Sequence, residues 1–216
     1  MTPGQIYSRL YRAYGPQHWW PGDTPFEIMV GAILTQNTAW PNVERAISNL
    51  RANNALAPQR IAAVHVRRLA TWLKPSGYFN IKAKRLKSFC RWLMAAGCVH
   101  ALGKLDTPLL RHQLLAVHGI GPETADDILL YAFSRPVFVI DAYTRRVFER
   151  LGMIAGNEGY ETLRHWFESG LAKERDKVRV FNEYHALIVR HGKDYCKVRP
   201  RCAQCCLRTV CLSAQV

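Results

Sequence analysis

The chain has 216 residues, of which 49% are hydrophobic and 21% charged, enough for one large helical domain or two small ones. Thirty basic against 16 acidic residues leave a net charge of +14, which makes a polyanion the first partner to consider. No run of about 18 apolar residues occurs, and the opening MTPGQIYSRLYRAYG holds no secretory apolar segment. A membrane span and export are therefore not expected, and a cytoplasmic location is.

In chain order, helical periodicity dominates and no alternating strand series appears, so the fold class expected is all-α. A first helix covers about 4–14, followed by the turn-rich loop GPQHWWPGDTP. In FEIMVGAILTQNT, Phe26, Met29, Val30 and Leu34 fall on one helix face. Helices are expected near 40–53, 58–63, 66–74 and 80–96, with Cys90 and Cys98 as small buried hydrophobes. Asp106 or Thr107 can cap a helix over 108–117. HGIG at 118–121 breaks the pattern, and Pro122 opens a helix running to about Phe133. The apolar run 137–140 reads as a strand or a buried loop, with a helix starting near Asp141. Two more helices are expected near 158–170 and 175–191, before an irregular tail from Tyr195.

Two features carry chemistry. In LLAVHGIGPETADDILLYAF, two helices flank His118, Gly119, Ile120 and Gly121. The glycines permit positive φ and close approach of another chain. Their amides and the following helix start form a concavity for phosphate, with Ile120 pinned back between the helices. Such a contact positions DNA without reading its sequence; a plain helical turn with glycine caps is the alternative. The second feature is the tail, Cys196-x5-Cys202-x2-Cys205-x5-Cys211. Four thiolates at these spacings suit either an iron–sulfur cluster or zinc, and less well a pair of disulfides. Cys206 is spare, because using it breaks both the x2 and the second x5 spacing. Lys193, Lys197, Arg199, Arg201 and Arg208 surround the cysteines and suit phosphate.

The hairpin followed twenty residues later by VIDAYTRR resembles the helix-hairpin-helix GPD superfamily of DNA glycosylases, typified by endonuclease III. The resemblance implies two interlocked helical domains: 22–134 as a helical barrel with the hairpin, and 1–21 plus 135–216 carrying the rest. It makes Asp141 the catalytic aspartate, a role compatible with capping the next helix. It also implies that Cys196, Cys202, Cys205 and Cys211 hold a [4Fe-4S] cluster, although family members have x6 in the first gap. The cluster would shape a loop contacting DNA. Bifunctional members carry a Schiff-base lysine two residues after the second hairpin glycine; here that position is Glu123. Lys82, Lys84 and Lys87 are substitutes that nothing in the sequence brings to the site.

HWWPGDTPFEIMVGAILTQNTAWPNVERAISNL, LKPSGYFNIKAKRLK and GIGPETAD resemble a narrower branch, the 3-methyladenine DNA glycosylase III type. That resemblance spans about 15–192 and implies an aromatic base pocket of Trp19, Trp20, Pro21 and Trp40, with Glu123 nearby. A cationic alkylated purine stacked on indoles gains about 1–2 kcal/mol. Gln36 would fill the gap left by the flipped nucleotide. The best-known members of the branch lack the cysteines. The function implied is monofunctional hydrolysis of the N-glycosidic bond of alkylated purines such as 3-methyladenine, by a monomer on double-stranded DNA at the nucleoid. Rival readings are a bifunctional endonuclease III-like lyase acting on oxidised pyrimidines, a non-enzymatic hairpin module, and a mismatch-adenine glycosylase; the last type has a longer C-terminal domain.

Overall fold

The computed structural model describes residues 1–20 and 22–214. Among them are twelve α-helices and no strand, so the fold is all-α. The helices are α1 (Pro3–Tyr14), α2 (Pro25–Leu34), α3 (Trp40–Ala52), α4 (Pro58–Ala63), α5 (Val66–Leu73), α6 (Phe79–Ala95), α7 (Cys98–Leu102), α8 (Thr107–Leu115), α9 (Pro122–Asp127), α10 (Ala142–Arg150), α11 (Tyr160–Gly170) and α12 (Lys177–Asp194). The chain divides into two compact units: Met1–Trp20 with Pro136–Val216, and Pro21–Arg135.

Local chemistry accounts for most helix starts. Thr2 and Gln5 form a reciprocal capping box on α1, and Thr24, Asp106, Asp141 and Asp176 cap α2, α8, α10 and α12. Pro3, Pro25, Pro41, Pro58, Pro108 and Pro122 each sit in a first turn, where a missing N–H costs nothing.

Four local features differ from expectation. Helix α2 buries Phe26, Met29, Val30, Ala32, Ile33 and Leu34, so it is enclosed on all sides rather than on one face. The short α7 was not foreseen; Cys98 starts it at positive φ and is half-exposed, whereas Cys90 is buried. After α9 the chain continues as a π-turn over Ile128–Ala132. The run 137–140 is a buried extended loop, not a strand. Its backbone donors find side chains instead of a ladder: Phe138 N–H donates to Glu168 Oε1 at 3.1 Å and Ile140 N–H to Tyr160 Oη at 3.4 Å. Phe138 stacks on Phe167 at 4.3 Å between centroids, and Phe148 meets Phe167 edge-on at 4.7 Å. This aromatic core fixes the chain just before Asp141.

Candidate functional site

Asp141 stands where the buried loop becomes α10. As N-cap, its Oδ1 accepts from Thr144 N–H at 2.7 Å. Its Oδ2 lies 3.6 Å from His185 Nε2 on α12, and the carboxyl side chain is 12% exposed. Burial alone would raise its pKa; the His185 imidazole and the Thr144 amide outweigh it and hold the carboxyl below its ordinary value. Trp19 packs against His185 at 5.8 Å between centroids, and against Trp20 at 5.6 Å with a 31° tilt. At that separation the two indoles contact each other, so no slot for a base opens between them. Aromatic, imidazole and carboxylate thus form one line in the first unit. Pro21 lies outside the described residues.

The other end of α10 anchors the cysteine loop. Arg146 donates from Nε to Cys196 O at 2.9 Å and from Nη2 to Gly192 O at 3.1 Å. Arg150 donates to Cys196 Sγ at 3.4 Å and to Val198 O at 3.2 Å, and its own carbonyl accepts from Ser213 N–H at 3.1 Å. Cys196, Cys202, Cys205 and Cys211 all line one cavity of about 240 Å³. No three His, Cys, Asp or Glu side chains among the described residues converge around a single ion. Cys206 does not line the cavity; its thiol donates to Tyr14 Oη at 3.5 Å. Leu207 N–H donates to Cys205 Sγ at 3.4 Å. Burial pushes the Cys205 thiol up to about 11 and raises that of Cys211. Behind the loop, His191 is buried, its pKa pushed down to about 4, with Nδ1 bonded to Tyr14 Oη at 2.8 Å. Arg199, Arg201 and Arg208 are exposed and Lys197 is half-buried.

In the second unit the hairpin joins α8 to α9. Ile120 is buried, and its N–H donates to Val117 O at 3.0 Å. His118 and Gly121 are exposed. Only Gly119 has positive φ, at +87°; Gly121 is extended, with open space where a side chain would project. Buried Asp126 locks the two helices together through a forked pair with Arg111, 2.7 Å to Nε and 3.1 Å to Nη2. Gln36 is half-buried; its amide donates to Gly119 O and to Thr124 Oγ1, both at 3.0 Å. Glu123 is exposed in the first turn of α9. Trp40 is half-buried and donates to Glu44 Oε1 at 2.8 Å.

Two lysines of α6 are fully engaged. Lys82 Nζ donates to Leu34 O at 2.8 Å, Thr38 Oγ1 at 2.8 Å and Ser76 O at 2.6 Å. Lys87 Nζ donates to Ile61 O at 3.3 Å and Ala62 O at 2.6 Å. Sequence reasoning missed His185, Arg146 and Arg150. The spacing Asp141, Arg146, Arg150 on one helix was the only available hint, and nothing local links residue 185 to 141.

The profile of the HhH-GPD superfamily of base excision DNA repair proteins matches residues 30–173. A Methanocaldococcus jannaschii protein, provisionally named a DNA repair glycosylase, is 44% identical over 212 residues, 97% of this chain and 95% of that one. Endonuclease III of Sulfolobus acidocaldarius is 30% identical over 86% of this chain and 81% of its own. Among solved structures, Helicobacter pylori 3-methyladenine DNA glycosylase bound to 1,N6-ethenoadenine superposes with a TM-score of 0.79 at 30% identity, covering 89% of this chain and 98% of that one. An endonuclease III–DNA complex superposes at 0.81 with 21% identity over 99% and 97% of the two chains, a likeness of fold.

Proposed function

The chain belongs to the HhH-GPD superfamily of base excision DNA repair proteins and is a DNA glycosylase of that type, and we propose that it is a monofunctional enzyme releasing alkylated purines from double-stranded DNA. Asp141 carries the reading: a nearly buried carboxylate kept ionised, one oxygen bonded to an amide and the other facing an imidazole. An ionised carboxylate there stabilises the oxocarbenium-like charge as the N-glycosidic bond breaks, and orients or deprotonates the attacking water. The damaged nucleotide must first leave the stack. Trp19 and Trp20 offer an indole face to the flipped base rather than a sandwich. A cationic alkylated base gains cation–π energy on that face and leaves readily, so a strong general acid is not needed. The Helicobacter pylori neighbour, a 3-methyladenine glycosylase holding an ethenoadenine, supports a purine adduct.

Monofunctionality rests on Glu123 in the lysine position and on the engagement of Lys82 and Lys87 with backbone carbonyls. DNA binding is supported by the charge of +14, the buried Ile120 that seats the hairpin, and the exposed Arg199 and Arg201 beside Lys197. Gln36 beside the hairpin fits the role of filling the vacated stack. Duplexes with single defined lesions, scored for free base, test the substrate. Release of 3-methyladenine or ethenoadenine without strand cleavage or borohydride trapping is expected; a trapped adduct or release of oxidised pyrimidines overturns it.

The cysteine loop fits an iron–sulfur cluster. Cys196, Cys202, Cys205 and Cys211 would hold it: their thiols line a cavity larger than one ion needs, and N–H groups of Leu207 and Arg150 already point at two sulfurs. When bound, such a cluster braces the loop carrying Lys197, Arg199 and Arg201. Purified Cys205→Ser should lose the brown absorbance completely, and Cys206→Ser should keep it. Equal loss in both would reject this ligand set.

A further inference from the structure

Arg85, on α6, is a half-buried cation at the hairpin that the proposed chemistry does not use. Its Nη1 donates to Gln36 Oε1, while the Gln36 amide nitrogen donates to Gly119 O and Thr124 Oγ1. Gln36 is thereby held on both sides, by the hairpin and by Arg85. The Arg85 stem lies directly on Gly119: a Cβ there would stand 2.3 Å from Arg85 Cγ and 2.7 Å from Cδ. Gly119 is therefore needed as the seat of this arginine as well as for its φ of +87°.

Arg85 forms no ion pair with a carboxylate among the described residues. The neighbouring cation is Lys82, whose three donors are all taken. A guanidinium has five N–H donors in a fixed fork. One holds Gln36, which leaves an edge with the geometry and charge for a phosphate.

We infer that Arg85 couples the two operations of the hairpin: it fixes Gln36 in place and takes a phosphate of the strand seated there. Arg85 is a positioning residue for Gln36 and a binding residue for the DNA backbone. The inference rests on the reading of Gln36 as the residue that fills the vacated stack. One cation then links backbone grip to gap filling, so Gln36 is presented where the strand is already held.

The test is binding, by fluorescence anisotropy, to a duplex with a tetrahydrofuran abasic analogue and to the same duplex undamaged, across a salt titration. Variants are Arg85→Ala, Arg85→Lys, Gln36→Ala and the double Gln36→Ala/Arg85→Ala, with Arg85→Gln run beside them so that a folded, uncharged variant is at hand; thermal unfolding checks each. Arg85→Ala should lower the preference for the abasic duplex about tenfold and reduce the salt slope by about one. Arg85→Lys should recover the slope but not the preference, because an ammonium lacks the fork. The double variant should show a preference no lower than Gln36→Ala alone. An unchanged salt slope in Arg85→Ala and Arg85→Gln overturns the phosphate contact, and additive losses in the double variant overturn the coupling. Full preference in Gln36→Ala instead overturns the gap-filling reading itself, whatever Arg85 does to the slope.

Discussion

Lys82 in the second unit and Asp141 in the first are both hidden charged groups, and their surroundings decide their roles. Lys82 in the second unit is 1% exposed, and all three of its N–H donors are taken by Leu34 O, Thr38 Oγ1 and Ser76 O. Asp141 in the first unit is nearly as hidden, yet Oδ1 accepts from Thr144 N–H at 2.7 Å while Oδ2 faces the His185 imidazole at 3.6 Å, and its side chain retains 12% exposure. A buried charge with every valence filled ties backbone together; a buried charge with valence left over can serve chemistry. The lysine holds the end of α2 to the turn before α6. The aspartate is held by the Thr144 amide of its own helix and faced by the His185 imidazole of α12.

That contrast is broken or sharpened most by Asp141→Asn. Asparagine is an equally good N-cap, so the fold should persist. Base release should fall by about 10³-fold, with binding to an abasic duplex unchanged; single-turnover release and anisotropy on the same preparation separate the two. Retained activity would reduce Asp141 to a cap.

Lys82→Ala should do the opposite. It strands three buried acceptors and should cost about 3 kcal/mol of stability, read by chemical denaturation. The rate per folded molecule should stay within a few-fold. A collapse of activity in a fully folded variant would move Lys82 into the reaction and reopen the lyase reading.

Trp19→Ala probes the rim of the aspartate rather than the aspartate. Removing the indole that packs on His185 should weaken handling of a cationic base about tenfold. A neutral adduct such as ethenoadenine should suffer less. Equal losses on both would mean that Trp19 acts by holding His185, not by stacking on the base.

The contrast also bears on how much of the fold and the site the sequence makes legible. Helix starts were legible where a cap and its partner lie three residues apart: Asp106 with Leu109 and Asp141 with Thr144. The role of Asp141 and the place of Gln36 came from resemblance to a family, not from local pattern. His185, Arg150 and Arg85 were invisible because their partners lie more than 40 residues away. Lys82 and Lys87 illustrate the same limit: on a helix rich in lysine and arginine, nothing local separates those that point inward from those that face water. The 137–140 run stayed ambiguous because an apolar stretch alone does not say whether strands or side chains will satisfy its amides.

A last expected effect is a pH dependence confined to the second unit. Burial lowers the Lys82 pKa from its ordinary value of 10.5 to about 8. Between those two values the unfolded chain keeps a proton that the folded chain has lost, so unfolding takes up a proton and stability rises with pH. Below about 8 both states are charged and the penalty of burying the ammonium is fully present. Lys82→Met has no such group. The stability of the native protein relative to Lys82→Met should therefore climb between pH 8 and pH 10, by at most about 1.4 kcal/mol per unit, in paired urea melts. Its three acceptors work against this, because they favour the ammonium over the amine. A flat difference would show that the cradle outweighs burial and that Lys82 stays charged; Asp141, whose imidazole and amide already outweigh burial, would then be the counterpart of Lys82 in balance as well as in position.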